Sequence, residues 1–199
     1  MKIVFRHARP QMVLYVRSMG PYRKGTEAAW QIMGRWLDSD NRRSLMRVSY
    51  GLFRDNPRTT APDLLRYDAC VPLGIGLEES AASGIRRQVL PGGAYAVYTH
   101  VGSIEATGEL FSRLYRHELP KLGLKVDEDR PFLAVYLTDP TVTREMHRRT
   151  EVCIPLNAAH LPMQAADGSP RLYFARASDA GAGGNRDGAP WPPQVARRQ

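Results

Sequence analysis

The residues best suited to chemistry fall in two near-identical stretches of the 199-residue chain. RYDACVPL (Arg66 to Leu73) and RTEVCIPL (Arg149 to Leu156) stand 83 residues apart, and each carries one acid, Asp68 in the first and Glu151 in the second. Alternate side chains of a strand share a face, so Val152, Ile154 and Leu156 belong together while Glu151, Cys153 and Pro155 point the other way. The apolar set is expected against the helices, which turns Glu151 toward a concave side. A buried carboxylate is costly unless paired, so it either captures a cation or joins an arginine such as Arg149 or Arg66. Tyrosines suit the first role, because an aromatic face attracts a cation by about 0.5 to 2 kcal/mol. Tyr98 and Tyr136 are the best placed, with Tyr15 and Tyr67 contributed by the first half and Trp30 read as helix core.

Other chemistries lack their signatures. The five histidines show no metal-ligand spacing, and no metal or cofactor is expected. Cys70 and Cys153 occupy equivalent strand positions and read as small buried hydrophobes. There is no nucleophile elbow and no phosphate loop. The net charge of +8 comes from dispersed arginines without a dense basic helix or an RNA-binding signature, which argues against specific nucleic-acid binding. No apolar run reaches membrane-spanning length, and MKIVFRHARPQ lacks the features of a signal peptide. A cytoplasmic protein is expected.

The elements that must position these residues are themselves duplicated. NPRTTAPDLLRYDACVPL (Asn56 to Leu73) lies over DPTVTREMHRRTEVCIPL (Asp139 to Leu156), and upstream VLYVRSMGPY (Val13 to Tyr22) lies over YAVYTHVGSI (Tyr95 to Ile104). β-Branched and aromatic runs predict strands at 11–18, 46–53 and 66–73, then at 94–101, 132–138 and 150–156. Ala29, Met33, Trp36 and Leu37 have the spacing of a helix face over 22–38. Leu110, Phe111, Leu114 and Tyr115 do the same for a second helix, with Ser103 as its candidate N-cap. The predicted class is α+β: a tandem strand-helix-strand-strand repeat forming an antiparallel sheet, two helices on one face and a concave ligand cleft on the other. The domain is expected over 1–160, with halves at about 1–73 and 89–156 and a linker at 74–88. The Gly/Pro-rich tail, 161–199, is expected to be disordered.

With both halves in place, the chain resembles the GyrI-like effector-binding family of gyrase-inhibitory proteins and of AraC- and MerR-type multidrug regulators. The resemblance rests on YVRSMGPY, DNPRTTAPDLLRYDACVPL, VLPGGAYAVYTHVGS and YLTDPTVTREMHRRTEVCIPL. It departs where GSIEATGEL replaces the family's usual Gly-Pro-Tyr at the second helix, and no DNA-binding helices are expected before the first strand. The resemblance implies binding of small cationic or amphipathic compounds, sensed or sequestered, with Glu151 receiving the cation and Asp68 as its repeat mate. It implies two alternatives. One is a hydrolase of cyclopropane-containing cytotoxic compounds, using Glu151 with Tyr98 or Tyr136 as a general base. The other is a protein inhibitor of DNA gyrase. A ligand role for Glu151 predicts that Glu151→Gln changes stability by no more than about 1 kcal/mol, whereas a buried ion pair predicts a larger loss.

Overall fold

The computed structural model describes residues 2–157 apart from 40, 47, 75, 105 and 140–142, so the tail expected to be disordered lies outside the described residues. The chain runs β1 (Val4–Ala8), β2 (Gln11–Met19), α1 (Tyr22–Asp38), β3 (Ser49–Phe53) and β4 (Arg66–Pro72). The order then repeats as β5 (Arg86–Leu90), β6 (Gly93–Val101), α2 (Ala106–Arg113), β7 (Phe132–Tyr136) and β8 (Arg149–Pro155). Beyond α2 the helix continues through a π turn, Leu114–Glu118, into a last turn at Leu119–Lys121. Among the described residues no helix is long and apolar enough to cross a membrane.

All eight strands form one antiparallel sheet in the order β1-β6-β8-β7-β3-β4-β2-β5. Exchanging the halves (β1 with β5, β2 with β6, β3 with β7, β4 with β8) reads the same order from the opposite edge. A pseudo-twofold therefore passes between β3 and β7, near the pairing of Gly51 with Ala134. The expected α+β tandem repeat, with an antiparallel sheet and both helices on one face, is the architecture observed. It carries one strand more per half than the sequence pattern shows. β5 begins inside the stretch expected to be a linker, and β1 precedes the first expected strand. Both are five-residue edge strands with charged side chains, VFRHA and RRQVL; cross-strand pairing rather than local propensity makes them strands. Each is also exchanged: β1 pairs with β6 of the second half, and β5 pairs with β2 of the first.

Local signals account for the turns and helices. Gly20 and Gly102 stand at equivalent places with φ of 117° and 128°, a conformation side chains rarely tolerate. Their N–H groups donate to Leu65 O and Arg148 O, each at 2.9 Å, which closes both halves alike. α1 follows Pro21, an extended N-cap residue (φ −51°, ψ 129°) whose carbonyl accepts the Gly25 N–H at 2.9 Å, and buries Ala29, Met33, Trp36 and Leu37 as its spacing predicts. The second helix buries Thr107 and Phe111 in α2, Leu114 in its π turn and Leu119 in its last turn. It starts at Ala106, three residues beyond Ser103.

The pleat separates two apolar layers. Leu14, Val16, Tyr67, Ala69 and Val71 pack beneath α1. Ala94, Ala96, Val152 and Ile154 pack beneath α2 with Phe111 and Leu114. On the other face Val13, Tyr50, Leu52, Cys70, Val97, Leu133, Val135 and Cys153 form a third buried cluster, which no helix among the described residues covers. The sheet curls over that cluster. The centre of the face expected to be a concave cleft is therefore packed.

Candidate functional site

Glu151 and Asp68 occupy the curled face at equivalent positions, opposite Thr99 on β6 and Arg17 on β2 respectively. Each carboxylate reaches the strand exchanged from the other half. Both oxygens of Glu151 accept from Arg6 Nη1 of β1, at 2.8 and 2.9 Å. Asp68 accepts from Gln88 Nε2 of β5 at 3.0 Å. Arg6 and Gln88 stand 82 residues apart, so they are repeat mates as the acids are. Asp68 takes two further partners, Arg17 Nε at 2.7 Å and Arg54 Nε at 2.5 Å. Burial pushes the Asp68 carboxyl up, but the hydrogen bonds from Arg17 and Gln88 and the Arg54 charge outweigh it and hold it below the usual carboxylate range. The partner of Glu151 is thus Arg6, not Arg149 or Arg66; Arg66 is engaged with Asp55 at 2.7 Å.

The predicted tyrosines divide between the two faces. Tyr15 lies on the curled face with the acids, opposite Cys70 in the β2–β4 register. Tyr98 pairs with Val152 and so shares the helix face. Tyr67 and Tyr136 also lie there, their hydroxyls 3.1 Å apart, and the Trp30 indole N–H donates to Tyr67 at 2.8 Å. These two hydroxyls sit directly over Gly51, where any Cβ would collide with both. Burial pushes both phenols above their ordinary range. The structure does not bring Glu151 together with Tyr98 or Tyr136, because the pleat puts the acid and these rings on opposite sides of the sheet.

A cavity of about 410 Å³ opens on the helix face, between the two halves. The first half contributes Tyr22, Phe53 and the loop 54–60; the second contributes Gly108, Phe111 and Ser112 from α2, Tyr115 and Arg116 from the π turn, and Glu128 and Phe132 beyond it. Its walls form a chain of rings. Phe53 meets Tyr22 edge-on at 5.0 Å and Phe111 at 5.1 Å, Phe111 stacks on Phe132 at 5.7 Å, and Tyr115 follows at 5.9 Å. Tyr115 donates to Glu128 at 2.6 Å, and that hydrogen bond raises its phenol above the ordinary range. Desolvation pushes Tyr22 up to about 12, while its hydroxyl donates to Asp55 O at 2.6 Å. Phe111 and Tyr115 were legible as an apolar helix face. Phe53, Phe132 and Arg6 carried no signal of their own, since their roles follow from which strands become neighbours.

A palindromic eight-stranded sheet with paired helices and an aromatic cavity between its halves defines a duplicated α+β module. The family described as the GyrI-like small molecule binding domain matches residues 1–157, and the chain belongs to it. It is 32% identical over 108 residues to the probable transcriptional regulator YgiV of Escherichia coli K12, covering 54% of this chain and 66% of that protein, just under two thirds of its length. It is likewise 32% identical over 144 residues to a DNA gyrase inhibitor of Edwardsiella ictaluri, covering 69% of this chain and 86% of the relative. Among solved structures, the EcmrR C-terminal domain shares the fold with a TM-score of 0.62 at 12% identity, over 78% of this chain and 97% of that domain. SAV2435 bound to tetraphenylphosphonium shares it with a TM-score of 0.58 at 14% identity, over 80% and 96%.

Proposed function

We propose that the chain senses or sequesters a small lipophilic molecule, held in the helix-face cavity. The observation that carries this reading is the cavity wall: rings from both halves line a space of about 410 Å³, within the range that encloses drug-sized ligands. Cationic and amphipathic compounds are the class the family resemblance implies, and tetraphenylphosphonium is what the neighbour SAV2435 was bound to. The ligand-facing residues in this reading are Tyr22, Phe53, Phe111, Tyr115 and Phe132. Glu151 and Asp68 serve the sheet instead.

The test uses Gly108, which lines the cavity from α2 and has nothing within 4 Å of where a Cβ would stand. A tryptophan there fills the space without a backbone clash. The neutral dye N-phenyl-1-naphthylamine should brighten on binding wild type, and Gly108→Trp should abolish the signal while leaving the melting temperature unchanged or higher. A dye signal undiminished in that variant overturns this location.

Hydrolysis is a second reading, supported by one contact. The carboxylate–phenol pair at the cavity is Glu128 with Tyr115, so the base would be Glu128 and not Glu151. Mass spectrometry for the water adduct of a cyclopropane-bearing alkylator decides it. A gyrase-directed role is supported only by what relatives are called, and a supercoiling assay at large molar excess of the chain decides that.

A further inference from the structure

Charge around the cavity is distributed unlike that of a cation receptor. Four arginines and two acids border it, and three of the six are committed elsewhere. Arg54 reaches Asp68 at 2.5 Å, Arg130 reaches Asp127 at 2.7 Å, and Asp55 is gripped by Arg66 at 2.7 Å. Glu128 is the remaining acid, and it accepts the Tyr115 hydroxyl. Arg58 and Arg116 remain, and neither guanidinium has a carboxylate or hydrogen-bond partner among the described residues. Arg58 comes from the loop of the first half and Arg116 from the π turn of the second, so two unpaired cations approach one aromatic space from different halves.

We propose that this cavity prefers lipophilic anions, an aromatic body carrying a carboxylate or sulfonate, over cations of the same size; the proposal rests on the cavity being the ligand site. The rings take the apolar body. A guanidinium presents its donors in a planar fork that matches carboxylate geometry and is weakly hydrated, so pairing costs it little. Both arginines are exposed, and exposed charge contacts are individually weak. Reversing the ligand's charge turns two attractions into two repulsions, and the contrast adds.

Tetraphenylborate and tetraphenylphosphonium supply that contrast, being nearly identical in size and shape and opposite in charge. In potassium-free buffer at low salt the borate should bind about tenfold more tightly, which corresponds to about 1.4 kcal/mol. The ratio should shrink in 0.5 M sodium chloride. Arg58→Ala with Arg116→Ala should bring it close to one. Arg86→Ala with Arg149→Ala removes the same net charge from strand positions away from the cavity and should leave the ratio intact. Equal or tighter binding of the phosphonium, or an equal loss of preference in both double variants, overturns the anion preference. Dye binding that survives in wild type but not in Gly108→Trp would then leave the cavity reading standing. Failure of the dye and of both ions would overturn the two together.

Discussion

Glu151→Gln tests whether the repeated acid serves a ligand or the sheet. Glu151 is 4% exposed, and its two oxygens share Arg6 Nη1 at 2.8 and 2.9 Å. Breaking a buried ion pair from one side costs about 3 to 5 kcal/mol, because the other charge stays behind unpaired. The Arg6 side chain is 19% exposed, so water recovers part of that cost. Its Nε is buried without a hydrogen-bond partner among the described residues, so the guanidinium depends on Glu151 for what it has. A loss of about 2 to 3 kcal/mol follows. With a urea m-value of about 2 kcal/mol/M for a domain this size, the midpoint should fall by about 1 M. Arg6→Met together with Glu151→Leu should lose less than the single change, since no charge is stranded. Hydrogen exchange should localise the weakening to β1 and its β6 partner. A single variant within 0.5 M of the wild-type midpoint, with weakened ligand binding, would refute the clamp and restore the ligand role expected from sequence.

Asp68→Asn should cost more than Glu151→Gln, because three donors converge on Asp68. Its pH signature has a definite sign. The folded carboxyl is held below its unfolded value, so its stabilisation is fully present above the unfolded pKa and is lost as pH falls through the folded pKa. Acid titration of stability should therefore be shallower below about pH 4 in Asp68→Asn than in wild type. Glycine changes should split by face and space. Gly51→Ala, forced against the Tyr67 and Tyr136 hydroxyls, should lower stability by about 1 to 3 kcal/mol. Gly108→Ala, with open space around it in α2, should raise it by up to about 1 kcal/mol. Thermal unfolding of the two variants measures both.

Much of the architecture is written locally. The 83-residue offset between Asp68 and Glu151 revealed a doubled unit. Period-2 alternation correctly put Glu151 with Cys153 and apart from Val152 and Ile154, because strand geometry is a property of consecutive residues. α1 followed from four apolar positions for the same reason. Strand neighbours are another matter. The exchange of β1 and β5 depends on pairings between segments that are far apart in the chain, and five-residue charged edge strands carry little propensity of their own. Arg6 was therefore invisible as the partner of Glu151, 145 residues away. The open space was equally hidden. Which face closes depends on how far the sheet curls, and which stays open depends on how Phe53, Phe111, Phe132 and Tyr115 meet. Each ring looks like core when read alone. Only their juxtaposition across two halves turns core residues into the walls of a cavity.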